Sequence, residues 1–134
     1  MIKLYKQLSI FLENRPGGLA RICGILGEAN VNILALAVHD TMDHAVIRLI
    51  AEPHMKALLL LEQQGLYLLE QDIIVMKLDN KSGSLAAIAR ALAHADINIH
   101  YAYCTATEHQ LQGCLILKTD DPARALEILH DSSL

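Results

Sequence analysis

Residues 14–33, NRPGGLARICGILGEANVNI, recur 66 positions later as NKSGSLAAIARALAHADINI, residues 80–99. Nine of the twenty positions are identical at that offset: Asn14/Asn80, Gly17/Gly83, Leu19/Leu85, Ala20/Ala86, Ile22/Ile88, Leu26/Leu92, Ala29/Ala95, Asn32/Asn98 and Ile33/Ile99. One small module therefore occurs twice, and the fold must be built from two copies of it. Six of the nine pairs are apolar and serve packing. Asn14/Asn80, Gly17/Gly83 and Asn32/Asn98 do not, which makes them the first places to look for function.

The 134 residues fit one compact unit that the repeat divides into halves, 1–71 and 72–134. With 53% hydrophobic and 19% charged residues, the chain is richer in apolar side chains than an average domain. Extra buried area at a subunit interface follows. A net charge of −4 with no Lys/Arg cluster provides no electrostatic footprint for a phosphate backbone, so nucleic acid is excluded as a partner. The opening stretch alternates polar with apolar residues where a signal peptide would be uninterruptedly apolar, so a cytoplasmic location is expected. No apolar run approaches the roughly 20 residues that cross a bilayer. Cys23, Cys104 and Cys114 are an odd set without a CxxC pair, which argues for free thiols over a disulfide framework or a sulfur-rich zinc site.

Periodicity orders the elements. Leu8, Ile10 and Leu12 alternate with Gln7, Ser9 and Glu13, the period of a half-buried strand, with Phe11 on the other face. Leu19, Ile22, Cys23, Leu26 and Ala29 line one side of a helix over Gly18–Ala29. The runs Asn32–His39 and His44–Ala51 flank the polar DTMD and predict a hairpin. Pro53 suits the start of a helix over His54–Gln64, Gly65 suits its end, and Leu66–Glu70 supplies a last strand. The order β-α-β-β-α-β is the ferredoxin-like unit, an antiparallel sheet with helices on one face.

The second half repeats the order: strand Asp72–Leu78, helix Ser84–Ala95, strands Ile97–Thr105 and Gly113–Thr119, Pro122, and helix Ala123–His130. Aligning Pro122 with Pro53, an offset of 69, makes the second hairpin three residues longer. The chain stops where the first half would begin its last strand, so the second unit lacks that strand. The strand it would cover, IIVMKL, is apolar on both faces and should not stay an open edge. No turn residue interrupts LYLLEQDIIVMKL. Either one continuous strand serves both halves or a second chain supplies the edge. Both readings, and the two apolar faces of Ile33–Val38, favour a homodimer.

The run NRPG-x-L followed by VNI, and its weaker echo NKSG-x-L followed by INI, resembles the opening of an ACT domain, the βαββαβ regulatory module found on enzymes of amino-acid metabolism. The whole chain resembles a tandem pair of ACT domains with no catalytic domain. The resemblance implies an α+β fold of two ferredoxin-like units and a role as an amino-acid-binding regulatory or sensor protein. It also implies a site where the loop before the first helix of one module meets a neighbouring module. Carried onto this chain, that site comprises Asn14, Arg15, Pro16, Gly17, Gly18, Leu19 and Asn32, with Asn80, Gly83, Ser84 and Asn98 as a second copy. Ser82 and Ser84 replace Pro16 and Gly18, which makes the copies unequal.

The chemistry is coherent in its own terms. A helix N-terminus offers unpaired N–H groups and about half a positive charge to a carboxylate. Gly17 and Gly18 permit close approach, and Asn14 and Asn32 offer both donors and acceptors to a zwitterion. The competing reading is structural: Asn14 and Asn80 as Asx turns, Asn32 and Asn98 in capping or left-handed positions, and Gly17 and Gly83 as loop tighteners. Two functional alternatives stand beside amino-acid binding. One is an interaction module that dimerises or docks on an enzyme or regulator in trans without a ligand. The other is a transition-metal sensor using His39, Asp43 and His44 or His100, Cys104 and His109, although their spacing matches no known signature. No catalytic motif or cofactor fingerprint is present, so neither enzymatic activity nor a cofactor is expected.

Overall fold

The alternation that opens the chain extends well beyond Leu8–Leu12. A computed structural model describes residues 2–106 and 108–131. In it β1 spans Ile2–Glu13, followed by α1 Gly18–Glu28, β2 Asn32–Asp40, β3 His44–Glu52 and α2 His54–Gln63. The remaining elements are β4 Tyr67–Asp79, α3 Ser84–His94, β5 Ile99–Thr105, β6 Gln112–Thr119 and α4 Pro122–Asp131. This is the βαββαβ order expected of ferredoxin-like units. Residues 132–134, where the sequence reading ends the second unit, lie outside the described residues.

Two compact units result, one of residues 6–71 and one of residues 2–5 together with 72–131. Strand order is β2-β3-β1-β4 in the first unit and β1-β4-β6-β5 in the second. The fourth strand missing from the second half is thus supplied from within the same chain, by the first residues of β1. Ile2 packs against the second core as a fourth-strand residue should. The two strands read as Leu66–Glu70 and Asp72–Leu78 are one 13-residue strand, β4. With no Gly, Pro or Asn near Gln71, the backbone has no reason to turn there.

The cores repeat with the sequence. In the first unit Ile22 and Leu26 of α1 and Ala57 and Leu61 of α2 close over Leu8, Ile10, Ile47 and Leu49. In the second, Ile88, Leu92, Ala125 and Leu129 close over Ile74, Met76, Leu115 and Leu117. Each fully buried Leu or Ile contributes about 1.5 to 3 kcal/mol. Up to the helix the equivalent residues differ by 66, as in Leu26 and Leu92. From β3 onward they differ by 68: Leu8 pairs with Leu49, and Ile74 with Leu117. Pro122 is therefore not the counterpart of Pro53, and the second hairpin is longer by two residues rather than three. Asp121 takes the place of Pro53 and caps α4, its Oδ1 accepting the Arg124 N–H at 3.2 Å. Pro122 occupies the first helical position, where its missing N–H costs nothing.

Candidate functional site

Each unit has a cleft at the start of its first helix. β1 delivers the chain through Glu13 into a short loop that ends on Gly17, whose φ of 92° lies in the left-handed region that glycine tolerates. Gly83 repeats this at 88° before α3. No side chain caps either helix, so N–H groups of the first turn are left to solvent or a ligand.

The first cleft, about 520 Å³, is lined by Phe11, Leu12, Glu13, Arg15, Pro16, Gly17, Gly18, Arg21 and Ile22, facing Gly65, Leu66 and Tyr67. The second, about 410 Å³, is lined by Lys77, Leu78, Asp79, Lys81, Ser82, Gly83, Ser84, Ala87 and Ile88, with Ile2, Met76 and Gln112. Nine lining positions correspond one to one at the offset of 66. Ile2 stands in the second cleft where the fourth strand stands in the first.

The two clefts differ in charge. In the first, Arg15 meets Glu13 at 3.4 Å and Arg21 donates to Gln64 Oε1 at 3.2 Å. Guanidinium groups in such a place suit a carboxylate in bidentate geometry. In the second, Lys81 lies 3.9 Å from Asp79, and Ala87 replaces Arg21. Ser84 adds a buried hydroxyl with no hydrogen-bond partner among the described residues.

Of the residues singled out from the sequence, Arg15, Pro16, Gly17 and Gly18 line the first cleft, and Gly83 and Ser84 the second. Asn14, Leu19 and Asn80 stand beside the clefts without lining them. Asn80 fastens its loop to the neighbouring hairpin, its side-chain amide donating to the Gln110 carbonyl at 3.0 Å and its N–H to Leu111 at 2.9 Å. Asn14 repeats the backbone part of this, donating to the Asp43 carbonyl at 3.2 Å. Asn32 and Asn98 lie at the far end of their helices, about 16 Å away for 11 residues. Within one unit they do not share a cleft with Gly17 or Gly83. Asn98 instead exchanges bonds with Asp120. The left-handed residues after the helices are Asn30 and Asp96, with φ of 60° and 59°, so Asn32 and Asn98 are not the positions that need it.

The sequence reading missed Phe11, Arg21 and Gly65–Tyr67. Arg21, one turn into the helix beyond Gly17, was the signal available. As for metals, among the described residues no three His, Cys, Asp or Glu side chains converge to hold an ion. No helix among the described residues is long and apolar enough to cross a membrane.

These features define a duplicated α+β unit with a cleft in each copy. Residues 3–134 match the family of paired ACT domains, and the chain belongs to it. Among solved structures it is similar to protein BT0572 from Bacteroides thetaiotaomicron, with 26% identity and a TM-score of 0.89 over 97% of this chain and 89% of that one. The fold is shared with the ligand-free regulatory subunit of aspartate kinase from Thermus thermophilus, at 16% identity and TM-score 0.69, covering 99% and 97% of the two chains. It is shared equally with the corresponding subunit from Thermus flavus, at 17% and 0.66, covering 96% and 94%. No curated protein matches the chain in sequence.

Proposed function

We propose that this ACT domain pair is a regulatory or sensor protein that binds a small amino acid, with the cleft formed by Arg15–Gly18, Arg21 and Tyr67 as its principal site. The observation that carries the reading is the one-to-one correspondence of nine lining positions between two clefts. Each cleft surrounds an uncapped helix N-terminus. Packing accounts for the repeat of Ile22 and Leu26 and the left-handed backbone for that of Gly17, whereas the exposed basic residue repeated at each cleft mouth, Arg15 and Lys81, serves neither. The fold-level likeness to regulatory subunits of aspartate kinase supports a regulatory role.

In this reading the helix N–H groups and Arg15 or Arg21 hold the carboxylate, while Glu13 faces the ammonium. The ligand then acts by its differential affinity for two arrangements of the protein. A second copy of the chain is the proposed partner along β2, whose Leu34 and Val38 are 46% and 48% exposed. An enzyme or regulator in trans would receive the output.

A thermal-shift screen of the twenty amino acids tests the proposal. A ligand at a hundred times its dissociation constant adds about 2.7 kcal/mol, and Arg15→Ala with Arg21→Ala should remove that response. If no amino acid moves the melting temperature, the reading falls and a ligand-free interaction module takes its place.

A further inference from the structure

The second unit has a further cavity of about 520 Å³, on the opposite face of its sheet from the helices. Alternation places it there. Ile74, Met76, Leu115 and Leu117 turn toward α3 and α4, so Val75, Lys77 and Cys114 turn the other way. Ile2 faces the helical core, which turns Lys3 and Tyr5 to the same free face. Thr105 pairs with Cys114, and Cys114 with Lys77, giving the cavity a floor of one cross-strand row. Gln110 and Leu111 of the hairpin form a wall, and Asn80 braces that wall through the Gln110 and Leu111 carbonyls.

The equivalent row of the first unit carries different side chains. There the row is His39, Val46 and Phe11, and the Phe11 ring lies against Tyr67 with centroids 5.4 Å apart. The counterpart of Phe11 is Lys77. Where the first copy sets an aromatic ring against Tyr67, the second thus has an ammonium group. Neither Lys3 nor Lys77 has an ion pair or hydrogen bond among the described residues, and no acidic side chain lines the cavity. Asp79, the next acid along β4, is engaged with Lys81 and Gln112.

We propose that this cavity binds a small organic carboxylate with an apolar chain, its head between Lys3 and Lys77 and its tail against Val75, Leu111 and the Tyr5 ring. Two ammonium groups line one cavity with no carboxylate among its lining, which gives an anion a place to sit, and the apolar wall selects one that carries hydrocarbon. The volume lies within the range of small-molecule sites. The cavity shares Met76, Lys77 and Gln112 with the second amino-acid cleft and no residue with the first, and the proposal does not rest on the amino-acid reading.

Octanoate is the probe, titrated into isotope-labelled protein and followed by NMR, with inorganic phosphate titrated in parallel. The expected result is saturable octanoate binding that shifts the amides of Lys3, Lys77 and Leu111, with phosphate at least tenfold weaker. The Lys3→Tyr/Lys77→Phe variant, which replaces both ammonium groups with rings, should abolish it. The Lys3→Met/Lys77→Met variant keeps the bulk without the charge and should weaken binding at least tenfold, which tests the claim even if the aromatic variant fails to fold. Octanoate that leaves these amides unmoved, binding that survives the methionine variant, or phosphate that binds as tightly as octanoate would each overturn the proposal.

Discussion

In the first unit the Phe11 ring lies against Tyr67 on the helix-free face of the sheet, whereas in the second the position equivalent to Phe11 holds Lys77. On the helical face the two units hardly differ, since Ile22 and Leu26 repeat as Ile88 and Leu92. Duplication has therefore preserved what packs and altered what faces outward. The difference teaches where constraint lies: a buried leucine can change only at the expense of a cavity, while a residue on an open face is free to acquire a new use.

The largest effect expected concerns how the second copy is completed. Deleting residues 2–5 removes Ile2 from the second core and opens the edge of β4. Amide exchange in residues 72–79 should then rise by orders of magnitude while Leu8, Ile10 and the rest of the first core stay protected. Equal loss in both units would break the comparison. Next come Leu26→Ala and Leu92→Ala, both side chains fully buried. Each should cost about 2 to 5 kcal/mol in chemical denaturation, and similar values would sharpen the claim that the helical faces are equivalent.

Smaller effects follow from the loops. Gly17→Ala and Gly83→Ala place a Cβ where nothing obstructs it, but on a backbone of positive φ. Each should cost about 1 to 2 kcal/mol, equally in the two units. Asp121→Ala removes a cap that the first unit lacks and should cost about 1 kcal/mol. The smallest effect is chemical. Burial pushes the Cys114 thiol above its ordinary value, so at pH 8 it should be alkylated more slowly than exposed Cys104. By linkage, the stability associated with Cys114 is complete below the ordinary thiol pKa and is lost as pH rises through the raised one.

The repeat at offset 66 made both helices, both loops and most of the cores legible, because local hydrophobic periodicity carries that information. The end of β1 was not legible, since nothing local says that residues 2–5 pair with β4 of the other copy. Proline was a poor guide to alignment: Pro53 precedes its helix and Pro122 begins one, and the true offset of 68 emerges from strand pairing and from the burial of Ala57 and Ala125. Of the cleft, Arg15–Gly18 could be read from the loop. Phe11 and Tyr67 could not, because they reach it through strand pairing. Asn80 was conspicuous because it is repeated, yet its side chain holds a hairpin in place.

The central claim is that the paired clefts at the helix starts receive an amino acid. It is tested most directly by titrating isotope-labelled protein with each of the twenty amino acids and following backbone amides by NMR. The account predicts that at least one causes saturable shifts at Gly17, Gly18, Arg21 and Tyr67, lost in the Arg15→Ala/Arg21→Ala variant. If those amides stay unmoved through every titration at millimolar concentration, the account is wrong.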